Sequence, residues 1–61
     1  MAKYRIPNTE RHAKLAKNIC KSEDLHLTSE AFETALGDDV IELTGASEDI
    51  ATFKDVFEML A

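Results

Sequence analysis

Polar and apolar residues alternate over Lys3-Tyr4-Arg5-Ile6, which sets Tyr4 and Ile6 on one face of a short strand that Pro7 stops. Asn8 and Thr9 then offer side-chain oxygens to the first free amides of a helix, with Glu10 in its first turn against the dipole. From residue 10 to 21 the period becomes helical. At about 100° per residue, His12, Leu15, Ala16 and Ile19 fall on one arc, while Arg11, Lys14, Lys17, Asn18 and Lys21 cluster on the other.

Ser22-Glu23-Asp24 is a polar break, after which Leu25-His26-Leu27 alternates over a length suited to a very short strand. Thr28 is placed to cap a second helix over Ser29–Leu36, because Leu27 and Phe32 sit at the staple positions and Gly37 suits a left-handed end. Its inner arc carries Ala31, Phe32, Ala35 and Leu36; its outer arc carries Glu30, Glu33 and Thr34. Val40-Ile41-Glu42-Leu43, with two β-branched residues in succession, is the strongest strand signal, and Gly45 ends it. Ser47 is an N-cap residue type, with Glu48 and Asp49 in the first turn of a last helix to Leu60 striped by Ile50, Phe53, Val56, Phe57 and Leu60.

The expected order is therefore β-α-β-α-β-α, an α/β (α+β) domain whose three short strands form one sheet packed by two long helices and one short one. The competing architecture is a three-helix cluster in which residues 39–44 pair with little. At 61 residues, with no linker, repeat or low-complexity stretch, the whole of 1–61 reads as one domain. A chain so short often leans on disulfides, metals or a second subunit, and its one cysteine excludes an intrachain disulfide. That lone cysteine also fits a reducing, cytoplasmic setting, and no apolar run approaches the ~20 residues of a membrane span.

Charge is divided unevenly. Residues 1–21 hold Lys3, Arg5, Arg11, Lys14, Lys17 and Lys21 against Glu10, a sum of +5; residues 22–61 hold Lys54 against the other acids, a sum of −10, for a net −5. Cations at one-turn spacing on helix 10–21, with Lys3 and Arg5 just before, are the composition that neutralises phosphates. Against that stand the acidic remainder, the lack of aromatic residues in the stripe, and an expected helix 29–36 without base-reading side chains. Glu30, Glu33, Asp55 and Glu58 make the complementary acidic candidates. Either surface suits steering of a protein of opposite charge, and the dipolar layout also permits self-association.

Candidate chemistry is sparse. Asp38, Asp39 and Glu42 are close in sequence but lack the ligand spacing of a calcium loop, and read as a solvated turn. His12 and Cys20, eight residues apart on one helix, sit about 12 Å from each other, too far to share a metal or a proton. Cys20 reads as a small residue at the core edge and His12 as a packing residue; His26 has no partner at catalytic spacing. Leu43-Thr44-Gly45-Ala46-Ser47 reads as a connecting loop rather than a phosphate cradle, for want of glycines and with Glu48-Asp49 beside it. No catalytic, cofactor or metal residue is assigned, and the chain is not expected to be an enzyme. The expectation is a small acidic protein–protein interaction module, an adaptor, regulator or inhibitor with an unidentified protein partner or a second copy. The alternatives are a nucleic-acid-associated protein using the basic stripe, and an accessory domain without a ligand site.

Overall fold

In the computed structural model, which describes residues 1–61, the strongest strand of the sequence occupies the centre of a three-stranded antiparallel sheet. The elements are β1 (Ala2–Pro7), α1 (Glu10–Ser22), β2 (Thr28–Glu33), β3 (Asp39–Gly45) and α2 (Ser47–Leu60). The sheet order is β1-β3-β2, so β1 and β2 are parallel to one another and separated by β3, which runs against both. The connection through α1 is thus a split β-α-β unit. The result is a small α+β domain of one sheet and two helices, in the order β-α-β-β-α.

Two expected elements change identity. Ser29–Leu36 is not a helix, and Leu25–Leu27 is not a strand. Residues 28–33 form an edge strand instead, because β3 has two sides to satisfy and β1 covers only one. Gly37 explains the ambiguity: its φ of +88° serves a helix end or a hairpin loop equally well. Here it closes the hairpin, donating to Thr34 O at 2.9 Å while Thr34 N donates to Asp38 O at 2.8 Å. The three-helix alternative falls with the same pairing, since all of residues 39–45 are in the ladder.

Capping follows the sequence at one helix and departs from it at the other. Thr9 is the N-cap of α1, its side chain accepting from His12 N. The helix ends in a Schellman-like turn, with Asp24 at φ 53° and Leu25 N donating to Cys20 O at 2.9 Å. At α2 the N-cap is Ala46 rather than Ser47, and no side chain caps it. β3 runs through Gly45 and Ala46 alone links it to α2, which leaves Ser47 one position inside the helix.

Both helices lie on one face of the sheet. Ile6 and Leu43 from the sheet meet Ala16 and Ile19 of α1 and Ile50, Phe53 and Phe57 of α2 in a buried core. Phe53 and Phe57 stack at 5.6 Å and 17°, and Tyr4 meets both edge-on at 6.1 and 6.3 Å. Leu36 and Leu60, expected on inner arcs, are outside it at 90% and 56% exposure. Gly45 is buried where Leu27 crosses it so closely that any Cβ would collide with the Leu27 side chain. No helix is long and apolar enough to cross a membrane.

Candidate interaction surface

Strand register decides which charges share a surface. Across the sheet, Lys3-Thr44-Thr28, Arg5-Glu42-Glu30 and Pro7-Val40-Phe32 form rows on the face away from the helices. Tyr4-Leu43-Ser29 and Ile6-Ile41-Ala31 form rows on the helix face. Lys3 and Arg5 therefore lie behind the sheet from α1 and cannot join its cations in one patch.

Both are already engaged. Arg5 Nε donates to Glu42 Oε2 at 3.0 Å, and Lys3 Nζ lies 3.6 Å from Glu42 Oε1. The Arg5 hydrogen bond, with Lys3 adding to it, lowers the Glu42 carboxyl below its ordinary value. The Arg5 guanidinium also sits 5.0 Å from the Phe32 ring centroid. Arg11, Lys14, Lys17 and Lys21 are exposed along α1, and Lys14 is 3.2 Å from Glu10 one turn back. The acidic candidates are dispersed as well. Glu30 is on the open sheet face, Glu33 on the helix face, and Asp55 and Glu58 on α2.

The remaining polar candidates sit apart. His12 is half-buried, its ring 5.6 Å from Phe57 and its Nδ1 2.7 Å from Thr9 Oγ1. Cys20 packs against the core, where burial pushes its thiol pKa up, away from the thiolate form. His26 is exposed, and no three His, Cys, Asp or Glu side chains are grouped to hold a metal ion.

What the fold assembles is an edge beside a groove. Both helix-face rows end exposed at β2: Ile6 is 1% exposed and Ile41 half-buried while Ala31 is open to solvent, and Leu43 is buried while Ser29 is open. The helices stop short of β2. Under α1 they leave a cavity of about 200 Å³ bounded by Ala13, Ala16, Lys17 and Cys20 on one side and Leu27, Ser29, Ile41 and Leu43 on the other. Beside it runs the unpaired margin of β2. Since Thr34 N bonds Asp38 O, the antiparallel alternation turns the main-chain groups of Phe32, Glu30 and Thr28 toward β3. Those of Ser29, Ala31 and Glu33 point outward.

A helical reading of residues 29–36 hides this margin. The signal that would have found it is Ala35-Leu36-Gly37, a three-residue loop with glycine last between two runs of extended residues. No protein-family model, curated protein or solved structure matches the chain.

Proposed function

We propose that this chain is a small acidic protein–protein interaction module, an adaptor, regulator or inhibitor, which binds along the β2 edge and the groove beneath α1. One observation carries the reading. Ser29, Ala31 and Glu33 present unpaired main-chain donors and acceptors beside an apolar groove, the combination by which an added strand gains both hydrogen bonds and side-chain pockets. Lys17 at the groove rim and the neighbouring α1 cations supply steering for an acidic partner. A lone half-buried Cys20 suits a reducing compartment, and we place the module in the cytoplasm.

A second reading, binding of a polyanion such as nucleic acid, is favoured by the exposure of Arg11, Lys14, Lys17 and Lys21 on one helix. It has to do without Lys3 and Arg5, which face away and bind Glu42. Capture from nuclease-treated extract separates the two. The interaction-module reading expects a protein, of this or another sequence, to be retained by the wild type and lost by Ala31→Lys. Loss only when the four α1 cations are reversed to Glu moves the contact to the stripe. Retention of nucleic acid from untreated extract, falling steeply with salt, with no protein held, overturns it.

A further inference from the structure

We propose that the free edge of β2 pairs with the same edge of a second copy of this chain. The pairing is antiparallel about a two-fold axis through Ala31 and makes one sheet of the two three-stranded halves. The inference rests on the interaction-module reading and names its partner.

The two margins of the sheet differ in whether they admit a neighbour. On β1 the outward-facing positions are Lys3, Arg5 and Pro7: two cations, and a residue with no N–H whose carbonyl already accepts from Thr9 N at 3.1 Å. Lysine and proline on an edge are the usual means of blocking strand addition. β2, Thr-Ser-Glu-Ala-Phe-Glu, has no proline, no basic residue and no bulge.

Register follows from geometry and charge. Outward main-chain groups lie at Ser29, Ala31 and Glu33, so a hydrogen-bonded pair of Ala31 with itself places Ser29 opposite Glu33 and Glu30 opposite Phe32 of the second copy. Each pairing is complementary. Arg5 lies over the Phe32 ring, so the incoming Glu30 meets a guanidinium that it shares with Glu42; in its own chain Glu30 faces only the carboxylate of Glu42. Ser29 and Lys17 line the same groove, so the incoming Glu33 arrives beside an ammonium that has no ion-pair partner within its own chain. The symmetry makes each of these contacts twice. Ala31 brings no bulk or charge to the axis.

Other registers serve worse. A shift of two residues one way sets Glu30 against Glu30, like charges directly opposite. A shift the other way runs the pairing off the end of β2 into the hairpin loop. A domain whose core is only Ile6, Ala16, Ile19, Leu43, Ile50, Phe53 and Phe57 also gains from a subunit that covers Ile41 and Leu27, both half-buried at the groove.

The test uses the purified full chain. Sedimentation from the low micromolar to the millimolar range should show a reversible monomer–dimer equilibrium for the wild type. Ala31→Lys, which sets two ammonium groups against each other on the axis, should be monomeric throughout with an unchanged circular-dichroism spectrum. Should Ala31→Lys fail to fold, the wild type decides alone. In a mixture of isotope-labelled and unlabelled chains, a filtered nuclear Overhauser contact is expected between the α-protons of Glu30 and Phe32 on different copies. A wild type monomeric over the whole range overturns self-pairing; the interaction-module reading then stands or falls on the capture experiment. A dimer that survives Ala31→Lys, or that lacks the Glu30–Phe32 contact, also overturns it.

Discussion

Arg5 and Glu42 face each other across the β1–β3 ladder, with Nε and Oε2 3.0 Å apart, on the sheet face that no helix covers. The pair fixes the charge layout of that face. Glu42 also stands opposite Glu30, so without Arg5 two carboxylates would confront one another on neighbouring strands. The Glu42 side chain is only 14% exposed.

A pH dependence follows from that contact. Glu42 has its pKa lowered in the folded chain by the Arg5 hydrogen bond, so its contribution to stability is complete above the unfolded glutamate value of about 4.3. It is lost as pH falls through the lower folded value. Carboxyl-carbon NMR titration should place Glu42 below the ordinary glutamate value, and Arg5→Gln should bring the Glu42 midpoint up. A Glu42 midpoint unmoved by Arg5→Gln would show that the contact does not form in solution.

At alkaline pH the sign reverses. Burial, and then the negative charge of Glu58, raises the Tyr4 pKa, so the folded chain holds that proton where the unfolded chain has lost it. Stability should therefore fall as pH rises past about 10. As the chain's one tyrosine, with no tryptophan, Tyr4 can be followed by tyrosinate absorbance. Glu58→Gln should lower its midpoint, and a midpoint at the free-tyrosine value would contradict the packing.

Core and surface should separate cleanly under mutation. Phe53 is 0% exposed and Phe57 6%, and Phe53→Ala or Phe57→Ala should each cost about 3–5 kcal/mol in denaturant unfolding. Lys14→Gln and Lys17→Gln should each stay within about 0.5 kcal/mol of the wild type. A larger loss at Lys17 in dilute protein would mean that it supports the monomer itself.

The two helix starts make a paired prediction. Thr9→Ala removes the side-chain acceptor for His12 N and should cost about 1 kcal/mol, whereas Ser47→Ala should cost little. Ala46→Ser supplies the missing cap and should stabilise α2 by about 1 kcal/mol. Thermal unfolding of the three variants checks the order.

Much of the architecture was legible in local pattern. Tyr4 and Ile6 alternate onto the core face, His12, Ala16 and Ile19 form an inner arc, and Thr9 caps as expected. The segment 28–37 was not, because Ala31, Phe32, Ala35 and Leu36 are spaced for a helix face and Gly37 suits either ending. What selects the strand is the unsatisfied side of β3, a partner far away in sequence. The same distance hides the surface chemistry. Lys3 and Arg5 adjoin the α1 cations in the sequence, yet register turns them to the opposite face, and Glu30 and Glu33 part company within one strand.

The most direct measurement is residue-resolved amide hydrogen exchange across residues 28–36, at low and high protein concentration. In dilute protein an alternation is expected: Thr28, Glu30 and Phe32 protected by β3, Ser29, Ala31 and Glu33 exchanging freely, and the latter three gaining protection as concentration rises. Continuous protection from residue 32 onward, as a helix would give, or an edge whose outward amides exchange freely at every concentration, would contradict it.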